Sequence, residues 1–330
     1  MPRITTMPRS AISVAFACML ALGTPAAAQD FPTRPLTLVI PFAAAGGVDV
    51  VGRIMAARMS ELLGRNVIVE NVGGAGGMIG SARIARAEPD GYQLVLGSVG
   101  THAQGQTLYK NPLYNSTTDF QPVALVAEQP IVLAARKDLP ANNLSEFVAY
   151  AKANQAKMQY GSPGTGSSTH LACALFTSEI GVNVTHIPFR TNATQDLIAG
   201  RTDYQCMSGA AAVPLVEGKL AKMIATLTRE RWQRLPQLAS AHEQGLKDFD
   251  AYIWYALFLP KRTPAPIVQK LHTAAAAAME TPAVQARFDK VGATVPAPDR
   301  RSPEYLQKFV ESEIARWAGP IKAAGMARTQ

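Results

Sequence analysis

Residues 161–170 (GSPGTGSSTH) concentrate groups that could bind a small anion. The stretch contains three glycines, which let a backbone approach a ligand closely, and its hydroxyl side chains include those of Thr165, Ser167, Ser168 and Thr169. It follows the strand-like residues 158–160 and precedes a helix-patterned stretch at 171–180. The start of a helix offers unpaired N–H groups and a positive dipole end. We therefore expect this turn to hold a carboxylate.

A second turn at 42–47 (FAAAGG) is the expected counterpart across a cleft. It follows an apolar run at 36–41, which is typical of a buried parallel strand, and its small side chains leave backbone amides open to a ligand. Asp49 follows at the start of a helical stripe that ends at Gly64, and we expect this carboxylate to cap or complement the helix start. The pattern of 42–47 alone fits an ordinary tight turn equally well.

Two more predicted strands end in glycine-rich turns. The strand at 66–71 precedes 73–80 (GGAGGMIG), and the strand at 92–96 precedes 97–102 (GSVGTH). In an open α/β sheet, ligands bind at the edge where parallel strands end. The 73–80 turn does not match the dinucleotide fingerprint, because Ile79 stands where the last glycine should be. Close packing of a helix on a strand explains this turn better.

The sequence gives little support for catalysis or metal binding. Ser167 and His170 could suggest a nucleophile and its base, but there is no nucleophile-elbow motif, and a triad also needs an acid to hold the base. No lysine follows Gly166, which excludes a Walker loop, and His102 and His186 lack metal-ligand spacing. We assign no catalytic residue, no metal and no cofactor.

The first 28 residues have the pattern of a secretory signal. Arg3 and Arg9 precede an apolar run at 11–22, and three alanines ending at Ala28 form a small-residue cleavage site. We expect cleavage after Ala28 and export to the periplasm. Removal of 28 of the 330 residues leaves 302, enough for two domains, and no later stretch is apolar enough for a membrane helix.

Charge and cysteine content limit the classes of partner that the protein could bind and indicate whether it forms a disulfide. Cleavage would lower the net charge from +8 to +6, and the chain has no lysine and arginine cluster of the kind that marks a nucleic-acid site. Cys173 and Cys206 remain, and an even count in an exported protein suggests a disulfide. Two separate buried thiols are the alternative.

The rest of the chain alternates strand and helix patterns. Strands are expected at 123–127, 131–135, 158–160, 184–189, 203–207 and 223–227, and helices at 144–153, 171–180, 194–199, 265–279, 284–290 and 303–318. Asn143 and Glu146 form a capping-box-like start for the 144–153 helix. Residues 128–130 and 249–259 are the expected crossings between two domains.

Several motifs, in one order, cover essentially the whole mature chain. They are FPTRPLTLVIPFAAAGGVDVVGR from residue 31, VIVENVGGAGGMIG from 67, EPDGYQLVLGSVGTHA from 88, LSEFVAYAKAN from 144, YGSPGTGSSTHLACALF from 160, THIPFR from 185 and TPAPIVQKLHTA from 263. Together they resemble the Bug-type solute-binding proteins, which are the extracytoplasmic receptors of tripartite tricarboxylate transporters.

The resemblance implies an α/β, two-lobed type II periplasmic-binding-protein (Venus flytrap) fold with two crossings between the lobes. Lobe 1 would comprise residues 29–129 and 253–330, and lobe 2 residues 130–252. The expected partners are a small carboxylate and the membrane permease subunits, and we expect a monomer. In such proteins the loops that match 42–47 and 164–168 grip one carboxylate, partly through ordered waters, and the loop that matches 98–102 adds contacts.

The sequence departs from the usual family pattern at three places. Phe189, Arg190 and Thr191 stand where Tyr-Lys-Gly is common, Met207 stands where Asp is frequent, and Ala45 stands where a third glycine is common. Arg190 could pair a second carboxylate or lie solvated at the surface. The candidate ligand-binding residues are Phe42, Ala43, Ala44, Ala45, Gly46, Gly47, Ser98, Thr101, His102, Gly164, Thr165, Gly166, Ser167, Ser168, His170, Arg190 and Met207.

The favoured function is capture of a small organic carboxylate and its delivery to the permease. A dicarboxylate is the first expectation for the ligand and an aromatic carboxylate the second. A sensory carboxylate receptor that docks to a membrane kinase would share the same pocket. An exported esterase that uses Ser167 and His170 is the other alternative.

Overall fold

The computed structural model describes residues 31–189, 193–247, 249–323 and 325–327. The predicted signal peptide and Arg190 lie outside this part of the chain. Residues 34–330 form one unit, and the fold below is that of its described residues. Its strands are β1 (Leu36–Ile40), β2 (Val67–Asn71), β3 (Gln93–Ser98), β4 (Phe120–Arg136), β5 (Gln159–Ser162), β6 (Thr185–Pro188), β7 (Tyr204–Ser208), β8 (Ala221–Thr226) and β9 (Tyr252–Pro260).

The helices alternate with these strands along much of the chain. They are α1 (Gly47–Leu63), α2 (Met78–Ala85), α3 (Gly105–Leu108), α4 (Leu144–Asn154), α5 (Ser168–Glu179), α6 (Thr194–Ile198), α7 (Gly209–Glu217), α8 (Ala265–Glu280), α9 (Pro282–Lys290) and α10 (Pro303–Ala323). Short 3₁₀ turns lie at Ala75–Gly77 and Pro298–Arg300, and a π-helical turn lies at Gly100–Gln104.

The strands form one curled sheet with two regions. In the first region β2, β1 and β3 run parallel, and β9 pairs antiparallel with β3. In the second region β6, β5 and β7 run parallel, and β7 and β8 both pair antiparallel with the end of β4. The mixed α/β architecture agrees with the expected fold class.

Strand β4 belongs to both regions. Its residues 120–130 pair with β9, and its residues 131–136 pair with β7 and β8. The prediction of a break between two strands at 128–130 is therefore wrong, because the backbone of Glu128 and Pro130 continues the pairing with β9. Glu128, one of the polar residues that suggested a break, has hydrogen-bond partners in the strand, because its carboxylate accepts two 2.8 Å hydrogen bonds from Arg300.

Two further local predictions need correction. Residues 97–102 are not a loop, because Gly97 and Ser98 continue β3 and the π-helical turn begins at Gly100. Helix α7 was not predicted at all. Its sequence GAAAVPLVE is apolar on nearly every side and contains Pro214, so it lacks the periodicity that marks an amphipathic helix.

Several turn and capping predictions are confirmed. The side chain of Asn143 accepts a 2.9 Å hydrogen bond from the backbone of Glu146, as a capping box requires. Gly64 ends α1 with a φ of 64°, the left-handed conformation typical of a helix C-terminus. A Cβ atom on Gly80 would lie 2.4 Å from the carbonyl oxygen of Val72, so this glycine permits close packing of α2 on the sheet.

A disulfide joins Cys173 on α5 to Cys206 on β7, which confirms the predicted pairing. The backbone N–H of Cys206 also donates a 3.0 Å hydrogen bond to the Cys173 sulfur. The bond therefore fixes the helix that follows the 161–170 turn to the central strand of the second sheet region.

Among the described residues, none of the helices has the length and apolar character needed to cross a membrane.

Candidate functional site

A cleft lies between the two sheet regions. Its lining atoms enclose about 710 Å³, part of which is continuous with solvent. The lining residues are Phe42, Ala43, Ala44, Ala45, Gly46, Gly47, Val48, Ser98, Pro163, Ser167, Ser168, Thr169, Ala193, Thr194, Gln205, Met207, Ser208, Ala211, Ile253 and Tyr255. Three helices of at least nine residues, α1, α5 and α7, begin at this cleft.

The first cleft turn, residues 42–47, is held by Asp49. The Asp49 carboxylate accepts 2.9 Å hydrogen bonds from the backbone of Ala45, from Arg53 and from Asn71. Burial alone would raise the pKa of Asp49, but these hydrogen bonds outweigh that effect and lower the pKa. Asp49 therefore supports the turn and the start of α1, as the sequence predicts.

The second cleft turn, residues 163–168, is held by neutral groups. The hydroxyl of Ser167 donates to the carbonyl of Gly164 and caps α5 by accepting from the backbone of His170. Nδ1 of His170 accepts a 3.1 Å hydrogen bond from the backbone of Gly166. The His170 ring also stacks on His186, with ring centroids 3.9 Å apart. Nδ1 of His170 therefore supports the turn.

The start of α7 faces the start of α1 across the cleft. Ser208 caps α7, because its side chain accepts from the backbone of Ala211. A Cβ atom on Gly47 would lie 2.0 Å from the Ser208 hydroxyl oxygen, so only glycine allows this approach. Neither α5 nor α7 has an acidic residue in its first turn, whereas α1 has Asp49. The uncompensated positive helix ends are therefore those of α5 and α7.

Further contacts join the two sides of the cleft. The hydroxyl of Tyr109 lies 3.0 Å from the carbonyl oxygens of Ala75 and Thr165. A Cβ atom on Gly76 would lie 2.5 Å from the Thr165 carbonyl oxygen. The side chain of Ser168 accepts a 3.0 Å hydrogen bond from the backbone of Gly100.

The structure places the candidate ligand-binding residues in three groups. Those that line the cleft are Phe42, Ala43, Ala44, Ala45, Gly46, Gly47, Ser98, Ser167, Ser168 and Met207. Those that lie near it but outside the lining are Thr101, His102, Gly164, Thr165, Gly166 and His170. Arg190 lies outside the described residues.

Thr101 and His102 lie in the core next to Ser98. The Thr101 hydroxyl oxygen accepts from the backbone of Ser98 and lies 2.9 Å from Nδ1 of His102. The His102 ring stacks on Phe258 with centroids 4.0 Å apart, and complete burial lowers the pKa of His102 to about 3. This histidine is therefore neutral at physiological pH and packs as an aromatic ring.

Among the described residues, three polar side chains of the lining have a buried atom with no hydrogen-bond partner. These atoms are the hydroxyl oxygens of Ser98 and Thr169 and the amide oxygen Oε1 of Gln205. Buried polar groups are normally hydrogen-bonded, and each exception needs an explanation. Contact with a bound solute supplies one.

Several lining residues were absent from the predicted set. They are Val48, Pro163, Thr169, Ala193, Thr194, Gln205, Ser208, Ala211, Ile253 and Tyr255. Thr169 and Pro163 lie within the 161–170 turn, and Ile253 and Tyr255 lie within the predicted crossing at 249–259. These four residues could therefore have been included in the predicted set. Ser208 and Ala211 follow from the start of α7, which the sequence pattern does not reveal.

The described lining is neutral. None of the lining side chains is acidic or basic, and burial raises the pKa of Tyr255 well above its usual range. Within the described residues, no three histidine, cysteine or acidic side chains are grouped so that they could hold a metal ion. The polar groups available to a solute are thus backbone amides, hydroxyls, one amide side chain and helix N-termini.

Comparison with known proteins assigns this chain to a family. Residues 51–326 match the family described as "Tripartite tricarboxylate transporter family receptor" (TctC). The chain is 38% identical over 303 residues to "UPF0065 protein in the TAR-I ttuE-ttuC' intergenic region" of Agrobacterium vitis, an alignment that covers 91% of this chain and 87% of the relative.

Solved structures of similar proteins share the fold. The structure of "MatC (Rpa3494) from Rhodopseudomonas palustris with bound malate" is 37% identical, covers 88% of this chain and 100% of its own, and superposes with a TM-score of 0.86. "R. palustris Rpa4515 with adipate" is 33% identical, covers 90% and 99%, and has a TM-score of 0.86. The periplasmic binding protein BugD is 37% identical, covers 90% and 99%, and has a TM-score of 0.87.

The family match, together with the shared fold, confirms the resemblance seen in the sequence motifs. The chain therefore belongs to the tripartite tricarboxylate transporter receptor family (TctC) and is a Bug-type periplasmic solute-binding protein.

Proposed function

We propose that the cleft binds a small organic carboxylate, with a dicarboxylate favoured, and that the protein delivers it to the permease of a tripartite tricarboxylate transporter. The observation that carries the proposal is the convergence of α5 and α7 on a neutral cleft that contains unpartnered hydroxyls of Ser98 and Thr169. Helix N-termini and hydroxyls can hold a carboxylate without the desolvation cost of a buried charged side chain.

The preference for a dicarboxylate rests on the number of uncompensated helix ends. One carboxylate can be held at α5 and a second at α7, since neither helix has an acidic residue in its first turn. Malate and adipate, the ligands named in two similar structures, both carry two carboxylates. Arg190 remains a candidate for the second carboxylate.

We further propose that the two lobes are residues 29–129 with 253–330 and residues 130–252, which move about β4 and β9. Support comes from β4, which changes its pairing partners between Pro130 and Ile131. A solute that contacts both sides of the cleft would favour the closed form by its differential affinity. We place the mature protein in the periplasm, after removal of residues 1–28, and expect it to act as a monomer without catalysing a reaction.

The hydrogen bonds of the second turn do not favour an esterase. The Ser167 hydroxyl is engaged with Gly164 and the start of α5, and Nδ1 of His170 accepts from the backbone of Gly166. A nucleophile would need its hydroxyl bonded to the histidine ring.

The test is a thermal-shift screen of the refolded, ligand-free mature protein against about fifty small carboxylates and the corresponding amides. A ligand at a hundredfold excess over its Kd should stabilise the native state by about 2.7 kcal/mol. We expect acids to raise the melting temperature and their amides to have no effect. Shifts by amides or sugars, without shifts by acids, would contradict the proposal.

A matched pair of threonine variants locates the effect in the cleft. Thr169→Val removes an unpartnered hydroxyl from the lining, whereas Thr177→Val removes a hydroxyl on the same helix that donates to the carbonyl of Ala174. We expect only Thr169→Val to weaken carboxylate binding. Equal affinities of the two variants would show that the Thr169 hydroxyl does not contact the solute.

Delivery to a permease has a separate test. Uptake of the radiolabelled solute should fall when the receptor gene is deleted from its host. Unchanged uptake combined with intact binding would favour the sensory receptor instead.

A further inference from the structure

One tryptophan ring lies where the two proposed lobes meet. Trp232, in proposed lobe 2, contacts the backbone of Gly292, in proposed lobe 1. A Cβ atom on Gly292 would lie 1.6 Å from Cζ2 and 2.6 Å from Cη2 of the Trp232 ring. Because any side chain at position 292 would overlap the ring, this contact requires glycine.

The same edge of the ring contacts the start of α7. A Cβ atom on Gly209, the first residue of α7, would lie 2.9 Å from Cζ2 of Trp232 and 3.2 Å from the carbonyl oxygen of Gly292. Ser208, the cap of α7, is also approached by Gly47 of proposed lobe 1. The start of α7 therefore contacts lobe 1 at two points, and the Trp232 ring packs at one of them.

Each side of this contact is held within its own lobe. Trp232 belongs to a buried apolar cluster that includes residues of α7. Gly292 lies two residues before Thr294, whose backbone exchanges hydrogen bonds of 2.8 and 2.9 Å with Glu128 of β4. The ring should therefore move with α7, and Gly292 should move with lobe 1. A change in the angle between the lobes would separate the two.

We propose that Trp232 is a positioning residue for solute binding, which holds the N-terminus of α7 at the cleft by packing on Gly292 when the lobes come together. The inference rests on the proposed carboxylate function and on the proposed lobes, because α7 supplies one of the two uncompensated helix ends. When the ring leaves Gly292, this helix end moves away from lobe 1 and the solute loses a binding group. The apparent affinity then falls with the fraction of molecules in which the contact is made.

The first test is a matched pair of glycine variants. Gly292 and Gly64 both have a φ of 64°, so alanine introduces the same left-handed strain at either position. Among the described residues, a Cβ atom at Gly64 would have no neighbour within 4 Å, whereas one at Gly292 would overlap Trp232. The probe is whichever of succinate, malate and adipate raises the wild-type melting temperature most. We expect Gly292→Ala to bind it at least about tenfold more weakly, mainly through faster dissociation, and Gly64→Ala to bind it like the wild type.

A double-mutant cycle assigns the effect to the ring. Trp232→Leu removes the ring atoms that a Cβ atom at position 292 would overlap. It should weaken binding by itself, and adding Gly292→Ala should then change the affinity little. The melting temperature of each ligand-free variant is measured alongside, because a merely structural role would lower stability and leave the affinity unchanged. Loss of affinity by the same factor in the wild-type and Trp232→Leu backgrounds would overturn the inference.

The wild-type protein supplies a test that needs no variant to fold. The chain has three tryptophans. Trp254 and Trp317 lie within proposed lobe 1, where both donate hydrogen bonds to Glu313. Trp232, in contrast, lines a second groove with Gly292 that is continuous with solvent. Separation of the lobes should make this ring more accessible, so a saturating concentration of the probe acid should reduce acrylamide quenching of the tryptophan fluorescence.

The outcomes separate this inference from the proposed function. Suppose that the wild-type protein binds one of the three acids. Unchanged quenching at saturation, or equal affinities of Gly292→Ala and Gly64→Ala, would then overturn the role of Trp232 and leave the carboxylate function standing. If Gly292→Ala does not fold, the quenching measurement decides. Absence of binding by all three acids, with binding of other solutes, would overturn both.

Discussion

The two cleft turns both precede a helix at the cleft, but different side chains stabilise them. The turn at 42–47 is held by the charged side chain of Asp49, and the turn at 163–168 is held by hydroxyl and imidazole groups. Both turns need residues in the left-handed conformation. The second uses Gly164 and Gly166, with φ of 129° and 86°, whereas the first uses Ala45, with φ of 63°.

The difference indicates which side of the cleft attracts an anion. In the first turn the positive end of α1 is already matched by Asp49, so this side offers mainly shape and backbone amides. In the second sheet region α5 and α7 begin with Ser167 and Ser208 as neutral caps. Rigidity is also achieved differently, since a disulfide holds α5 and an ionic network holds α1.

The largest expected effect comes from removal of that disulfide. Replacing Cys173 and Cys206 by alanine should lower the free energy of unfolding by about 3–4 kcal/mol, because the bond joins residues 33 positions apart in the sequence. Urea unfolding with and without reductant measures the effect. Reductant should destabilise the wild-type protein and not the double variant; an equal response of both would contradict the prediction.

The first turn should respond to charge rather than to reductant. Asp49→Asn puts an amide in place of a buried carboxylate that accepts three hydrogen bonds, and it should cost about 1–3 kcal/mol of unfolding free energy at pH 7. Because the pKa of Asp49 is lowered in the folded state, this contribution is present above the unfolded pKa of about 4 and is lost as pH falls through the folded value. The wild-type and variant stabilities should therefore converge in acid.

Glu61→Gln is the control for Asp49→Asn. Glu61 lies on the same helix, its side chain is 64% exposed, and its partner is Arg58. Removal of this surface ion pair should change the unfolding free energy by less than about 1 kcal/mol. A loss as large as that of Asp49→Asn would show that charge anywhere on α1, and not support of the turn, explains the effect.

A smaller effect is expected where the second turn meets the 75–77 segment. Tyr109→Phe removes the hydroxyl that lies between the carbonyls of Ala75 and Thr165, which should cost this arrangement of the two sides of the cleft about 1 kcal/mol. Solute affinity should fall about fivefold. Stopped-flow dissociation rates test this, with Tyr150→Phe on α4 as the control, and equal rates for the two variants would contradict the prediction.

The smallest effect concerns the strained residue of the first turn. Ala45→Gly should stabilise the protein by about 0.5–1 kcal/mol, since glycine relieves the left-handed strain but loses more entropy on folding. Ala44→Gly, the neighbouring substitution, has only the entropic cost and should destabilise. Thermal melts of both variants measure the difference, and a shift in the same direction for both would show that φ at Ala45 is not the cause.

The elements with clear periodicity or clear end signals were predictable from the sequence. Apolar runs located β1 to β3, and Gly64 and Asn143 located helix boundaries. Strand β4 was predicted as two strands because Glu128 and Pro130 have the composition of a break. In the folded protein these residues continue the strand because their backbone pairs with β9 and Glu128 forms an ion pair with Arg300, and neither contact can be read from the sequence.

The site was predictable where glycines and hydroxyls cluster and not where the fold brings single residues together. The turns at 42–47 and 163–168 have local signatures. Gln205 gives no such signal, because a glutamine within a strand pattern is ordinary until its neighbours are known. The roles of the hydroxyls could not be predicted either, since Ser167 and Thr169 look alike in sequence. In the structure Ser167 caps α5, whereas the Thr169 hydroxyl has no hydrogen-bond partner among the described residues.

The continuity of β4 also determines how the molecule comes apart on heating. Many two-domain proteins melt in steps, because a flexible linker lets one domain unfold while the other persists. Here the 17 residues of β4 supply hydrogen bonds to both sheet regions. Neither region can therefore lose its pairing with β4 without disturbing the other. Scanning calorimetry should accordingly record a single transition whose calorimetric and van't Hoff enthalpies agree, the signature of one cooperative unit.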